Sequence, residues 1–198
     1  MAQARDRGLA DWIAQEVAFP RSMVDSITPA TTDALRAEVA VATGLEDRWP
    51  VQREAFVQWV IEDHRAAAGP DWAAAGAILT DDVPAWERAK LRLLNGAHST
   101  LAYVGLLAGH ATVSDAIANP ALAGFIERSW AQEVLPGLRA PRGLDLVAYS
   151  GAVLARFRNP VIRHELAQIA WDGSQKLPIR IQAGLAQNLA AGLPAQMP

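Results

Sequence analysis

From Trp86 onward, apolar residues return at the spacing of an α-helix. Taken at about 100° per residue, Leu93, Leu94, Ala97, Leu101 and Val104 fall on one face. Val83-Pro84 opens the segment with proline in the first turn, where its missing N–H costs nothing, and Asp81 and Asp82 suit the positive end of the helix dipole. The pattern predicts a helix over 84–108. Further helices are predicted near 5–16, 31–43, 112–119, 121–135, 144–157, 160–171 and 178–191, separated by Gly and Pro. Two short runs differ: 56–61 is β-branched and aromatic, and 76–80 resembles it, so both are expected to be strands. No comparable run follows Asp82. The expected fold is therefore mainly α, with a short α/β portion over 1–82 and a helical portion over 83–198.

Composition narrows the classes. A hydrophobic content of 51% and seven tryptophans supply a sizeable core. The net charge of −3, with mixed signs and no long run of like charge, leaves no basic face, so no nucleic-acid partner is expected. The absence of cysteine excludes disulfides and thiolate sites and fits a cytoplasmic protein. No basic region followed by an apolar core marks a secretory signal at the N-terminus. Between Leu93 and Ser114 the only ionisable groups are two histidines and a tyrosine, but Asn95, Ser99, Thr100 and three glycines interrupt the stretch, which reads as a buried helix and not as a membrane span.

The candidate chemistry centres on Lys90, which occupies a position in the apolar stripe where a leucine would pack. One reading is a snorkelling side chain with its stem buried and its ammonium in water. The other is a desolvated amine that accepts and returns a proton. Asn95 and His98 follow five and eight residues later, a rise of about 7.5 and 12 Å, and on a regular helix the three spread over about 140° of the circumference. A base, an amide donor and an imidazole along one wall suit chemistry at an alcohol or carbonyl. Metal catalysis has no support in the spacing of the four histidines, among which no close pairing is apparent.

At these residues the chain resembles the polyol-specific long-chain dehydrogenases, the family of mannitol 2-dehydrogenase, fructuronate reductase and tagaturonate reductase. Their hallmark Lys, four residues, Asn, two residues, His is filled by Lys90, Asn95 and His98. Phe19-Pro20, Met23-Val24-Asp25 and Ile27-Thr28-Pro29 resemble an earlier block, and Gln58 to Asp63 the next. Arg156-Phe157, Asn159-Pro160, His164 and Asp172 to Pro178 resemble the tail block. The blocks are collinear from about residue 9 to residue 181.

The resemblance implies a helical substrate domain preceded by a remnant of a nucleotide-binding α/β domain, and hydride transfer between NAD or NADP and a polyol, ketose or hexuronate. It makes Lys90 the general acid/base, Asn95 the donor to the reacting oxygen and His98 a holder of that oxygen or a neighbouring hydroxyl. Asp25 is implied as a binder of substrate hydroxyls, with a turn-capping role equally open, and Lys176 as a partner for a substrate carboxylate or hydroxyl, with a surface lysine equally open. No Gly-x-Gly-x-x-Gly occurs in the sequence, so cofactor-binding residues are unassigned, and the chain is expected to be part of a longer enzyme. A missing nucleotide domain or self-association is the implied macromolecular partner; no membrane and no metal are expected. The competing reading is a noncatalytic helical module descended from such an enzyme. Ser26 and Glu165 stand where the family usually carries arginine, with Arg158 and Arg163 as nearby substitutes.

Overall fold

The structure is a computed structural model that describes residues 6–64 and 70–195. The described residues divide into two compact units, one within 6–24 and 58–83 and a larger one within 25–57 and 84–195.

The smaller unit holds helix α1 (Arg7–Glu16) and most of a three-stranded sheet in the order β1 (Ser22–Asp25), β2 (Gln58–Glu62), β3 (Ile78–Thr80). Strands β2 and β3 are parallel, with Val60 opposite Ile78 and Glu62 opposite Thr80. Asp6 caps α1 by accepting from the N–H groups of Gly8 and Leu9. The Trp59 indole donates to Ser22 Oγ at 2.8 Å and meets Trp72 edge-on at 5.4 Å. Helix α1 and both expected strands are present; the first residue of the predicted 5–16 helix lies outside the described residues. Strand β1 was not expected. Its buried positions are Met23 and Asp25, and an acid in an inward slot conceals the apolar alternation by which a strand is recognised.

The larger unit is helical. Helix α2 (Asp33–Thr43) is capped by Thr32 and ends at Gly44 in the left-handed conformation. The central helix runs without a break through α3 (Val83–Lys90), a π-turn (Leu91–Asn95) and α4 (Gly96–Leu107). Around it lie α5 (Val113–Ala118), α6 (Pro120–Ser129) continuing into a π-turn (Trp130–Val134), α7 (Leu146–Phe157) and α8 (Leu166–Ala170). The chain closes with α9 (Gly173–Leu177), a π-turn (Pro178–Gln182) and α10 (Ala183–Ala190). Leu93, Leu94, Leu101, Ile117, Trp130, Val153, Phe157 and Leu166 form a common core. Gly105 lets α4 approach its neighbours, since a Cβ there would lie 2.8 Å from Leu166 Cδ1 and 3.1 Å from Ala116 Cβ.

Two predicted helices differ in extent. The helix expected over 160–171 is confined to Leu166–Ala170. The backbone before it is engaged elsewhere: Val113 N–H donates to the His164 carbonyl at 3.0 Å and Leu166 N–H to the Ala111 carbonyl at 2.9 Å, a short bridge that no helix can share. The helix expected over 178–191 begins earlier, because Asp172, at φ 59°, turns the chain and its carbonyl accepts from the N–H groups of Gln175 and Lys176. Pro178 then sits within it and lacks the N–H that an α-turn needs, and the chain widens into a π-turn there. No helix among the described residues is long and apolar enough to cross a membrane.

Candidate functional site

Lys90 ends α3 and Asn95 ends the π-turn that follows; both are half-buried. The π-turn is closed by the Gly96 N–H donating to the Leu91 carbonyl, five residues back. This corrects the regular-helix geometry expected from the sequence. On an α-helix Asn95 would stand about 140° around the axis from Lys90, whereas within a π-turn positions five apart stack as neighbours. His98 lies three residues beyond Asn95 on α4, again an adjacent position on a helix face. By backbone geometry the three positions lie closer together around the axis than on a regular α-helix.

Gly96 has a steric reason. A Cβ there would come within 3.2 Å of the Arg180 carbonyl, so glycine allows the π-turn at 178–182 to close on the one at 91–95. Arg180 Nη1 donates to Ser99 Oγ at 3.2 Å in the same contact, and Thr100 Oγ1 returns to the Gly96 carbonyl at 3.1 Å.

His98 is buried, 5% exposed, and stacks on Phe157 with ring centroids 4.4 Å apart. His164 meets it edge-on at 5.2 Å. The sequence expectation of no close histidine pairing is thus corrected: the two are far apart in the chain and are brought together by the bridge between 111–113 and 164–166. Burial pushes the His98 imidazole well below the ordinary histidine range, and the charges of His164, Arg180, Arg156 and Lys90 push it further the same way. His164 is lowered by burial and then by Lys176. Both rings are accordingly held toward the neutral form. These electrostatic couplings also run in sequence from Lys90 to His98, to His164 and to Lys176, joining the hallmark helix to the tail block.

Lys176, on α9, is half-buried, with Nζ 3.4 Å from the Ile169 carbonyl. Asp25 has a different setting from the one expected. It is 1% exposed, and its carboxylate is already engaged within the protein: Tyr149 donates to Oδ2 at 2.6 Å, and Arg156 grips both oxygens at 2.7 and 3.0 Å. The same guanidinium donates to both oxygens of Glu54 at 2.6 to 3.1 Å and lies 4.1 Å over the Phe56 ring. Glu54 Oε1 also accepts from the Ile27 N–H at 2.5 Å. Burial alone would lower Arg156, but its hydrogen bonds to Asp25 and Glu54 outweigh this and raise it; burial and the Asp25 charge raise Tyr149. Sequence reasoning missed Glu54 and Tyr149. The only signal was Arg156-Phe157 in the tail block, since nothing in the spacing reveals a partner more than 100 residues away. Of the expected substitutes for the lost arginines, Arg158 pairs at the surface with Glu127 at 3.7 Å and Arg163 is exposed. No group of three or more metal-ligating side chains occurs among the described residues.

The arrangement offers an amine, an amide and a neutral imidazole along one stretch of helix, with further cations at Lys176 and Arg180. Such a set can donate to an oxygen, hold a carboxylate and exchange a proton with a hydroxyl. Comparison with known proteins gives this stretch a lineage. The mannitol dehydrogenase Rossmann domain matches residues 1–74 and the mannitol dehydrogenase C-terminal domain residues 82–197. D-mannonate oxidoreductase of Escherichia coli (strain K12) is 47% identical over 192 residues, covering 97% of this chain and 40% of the relative. Mannitol 2-dehydrogenase of Phaeosphaeria nodorum is 40% identical over 196 residues, covering 98% and 34%. Among solved structures, Pseudomonas fluorescens mannitol 2-dehydrogenase in a ternary complex with NAD and D-mannitol superposes with a TM-score of 0.86 at 36% identity, covering 98% of this chain and 39% of that one. A substrate-free D-sorbitol dehydrogenase gives 0.87 at 35%, covering 98% and 40%. The chain thus spans about two fifths of the length of most of these relatives. With a family match over more than half its residues, and the hallmark lysine, asparagine and histidine in place, the chain belongs to the mannitol dehydrogenase family.

Proposed function

We propose that this chain carries the substrate-side chemistry of an NAD(P)-dependent oxidoreductase acting on a secondary alcohol or ketone of an open-chain sugar acid or polyol, with 1–82 the remnant of the nucleotide-binding domain and 83–198 the substrate domain. The observation that supports the reading is the π-turn at Leu91–Asn95, since positions five apart, as Lys90 and Asn95 are, are near neighbours in a turn of that kind. When bound, the nicotinamide supplies or accepts the hydride. Lys90 takes the hydroxyl proton in oxidation and returns it in reduction. Asn95 donates to the oxygen as charge develops there. His98, neutral, holds that oxygen or its neighbour. The family's Gly-rich cradle has no counterpart in the sequence, so no residue of this chain is assigned to the cofactor. We assign Asp25 to fixing Arg156 and not to binding substrate hydroxyls, because its buried carboxylate is already held by Tyr149 and Arg156.

A sugar acid is the substrate class we favour over a neutral polyol. Higher identity to D-mannonate oxidoreductase, 47% against 40% for a mannitol 2-dehydrogenase, supports it, and so do Lys176 and Arg180 as cations for a carboxylate. A protein without cysteine also suits the reducing cytoplasm. The test is nicotinamide absorbance with mannonate, fructuronate, mannitol and fructose, on the chain itself and on the chain joined to a matching nucleotide domain. Lys90→Ala should remove nearly all turnover; unchanged turnover would overturn the proton-transfer role. Failure of every form to bind cofactor or turn over would favour a noncatalytic helical module.

A further inference from the structure

His98 and His164 each carry one buried ring nitrogen without a hydrogen-bond partner among the described residues, Nε2 of His98 and Nδ1 of His164. Burying a polar atom unsatisfied costs about 1–3 kcal/mol, and two such atoms on adjoining rings call for a common explanation. A small pocket lies where they meet, lined by His98, His164, Arg156, Ile27, Phe157 and Ile162 and about 10 Å³ in volume. That is at the lower end of what one water requires, and a water also needs two or more polar partners. The third polar partner is Arg156. Its Nε and Nη2 hydrogens and one Nη1 hydrogen are directed to Asp25 and Glu54, while the second Nη1 hydrogen has no carboxylate partner among those bonds.

We infer that His164 is a positioning residue for His98: one water in this shared pocket accepts from Arg156 and donates to His98 Nε2 and to His164 Nδ1, fixing the ring setting and tautomer of both. The inference goes beyond the proton chemistry proposed for Lys90, and only its consequence for substrate rests on that reading. The alternative, a ring N–H donating to the water's second lone pair, gives the opposite tautomer at that ring; in the inferred arrangement the water gives one hydrogen to each ring and both ring nitrogens accept. The proton of His98 then sits on Nδ1 and that of His164 on Nε2. With Nε2 occupied, His98 meets a bound oxygen as a donor. The charges that face His98 keep the ring neutral, so that one nitrogen is free to accept: Arg156 from α7, His164 from the bridge segment, Arg180 from the π-turn at 178–182 and Lys90 from its own helix all oppose a second proton on the ring. Burial of the first ring and the bridge bonds Val113 N–H to His164 and Leu166 N–H to Ala111 fix the pair mechanically.

The test is imidazole ¹H–¹⁵N correlation spectroscopy on the 198-residue chain, which has only four histidines, each assignable by its single His→Gln variant. At pH 7 the expected spectrum shows His98 as the neutral Nδ1–H form and His164 as the neutral Nε2–H form. His164→Phe keeps a ring of similar size and removes the acceptor, and should move the His98 nitrogens toward a mixture of tautomers. An Nε2–H tautomer at His98 in the unsubstituted chain would overturn the proposal, and that result needs no variant to fold. An unchanged His98 pattern in a folded His164→Phe would do the same. Because neither readout involves turnover, loss of the Lys90 role would leave this result standing, and the reverse.

Discussion

Arg156→Leu should be the most damaging single substitution in the larger unit. The Arg156 side chain is 8% exposed and those of Asp25 and Glu54 are 1% and 5%. One guanidinium therefore compensates two carboxylates removed from water. Deleting it leaves both without a counter-charge, and breaking a buried pair in this way typically costs about 3–5 kcal/mol, a large part of a usual folding stability of about 5–15 kcal/mol. The pair itself is not thereby worth that much, since the penalty is mainly that of the charges left behind. The triple variant Asp25→Asn, Glu54→Gln, Arg156→Met separates the two ideas. It keeps acceptors for Tyr149 and for the Ile27 N–H but buries no ion, and it should recover most of the loss, to within about 2 kcal/mol of the starting protein. Urea unfolding followed by fluorescence of the seven tryptophans gives the comparison, provided the denaturant slope is unchanged. Should Arg156→Leu be too unstable to isolate, Arg156→Lys keeps the charge but loses the fork, and should be destabilised less than Arg156→Leu but more than the triple variant. An Arg156→Leu protein within about 1 kcal/mol of the original, or a triple variant no better than the single one, would refute the reasoning.

Asn95→Ala should lower kcat by about 10²-fold or more with a smaller change in KM, if the amide stabilises the developing oxyanion; steady-state kinetics of the active form decides, and an effect on KM alone would reduce Asn95 to a binding contact. Acid should weaken the fold through His98: its folded form resists a proton that the unfolded chain accepts, so the contribution is full above pH 6.5 and falls below it by up to about 1.4 kcal/mol per pH unit, a slope that urea midpoints from pH 7.5 to 5 should lose in His98→Phe. Tyr149, raised by burial and Asp25, contributes in the opposite window: its stabilisation is complete below pH 10 and declines as alkali removes the unfolded chain's proton first. Tyr149→Phe should cost about 1–2 kcal/mol at neutral pH and flatten that alkaline decline. Gly96→Ala, which in an exposed helix would stabilise by about 1 kcal/mol, should instead destabilise, since the new Cβ presses on the Arg180 carbonyl at 3.2 Å; a raised urea midpoint would show that the two π-turns have slack.

How much of this was legible in the sequence depended on whether the signal was local. Helix positions were readable where an apolar stripe and a start signal fell in the same stretch, as at Val83-Pro84; the reciprocal cap of Thr112 and Asp115 at the start of α5 is a further local signal, found in the structure. They were misread where backbone groups had distant partners: a helix was expected from residue 160, but the His164 carbonyl and the Leu166 N–H are spent on Val113 and Ala111. Asp25 shows the same limit at a side chain. Its position in a block resembling the family's could be read, and its inward slot on β1 could not, because the compensating charge comes from Arg156, 131 residues on.

The π-turn is the instructive case, because it lies wholly within a stretch whose helix was readable and yet changes the site. Pattern analysis assumes a constant step around the axis, and a turn of five residues alters that step without altering any residue's preference for helix. Its cause is lodged in the tertiary structure: Gly96 admits the Arg180 carbonyl, and the opposing segment is itself widened by Pro178. Two departures from regular helix therefore meet at the same place, between Lys90 and Asn95, which the proposed reaction needs on one face. A spacing of five between a base and an oxygen donor is a poor fit to an α-helix and a natural one to a π-turn. The hallmark spacing is thus itself a structural signal, legible once the chemistry is taken to require both side chains on the same oxygen.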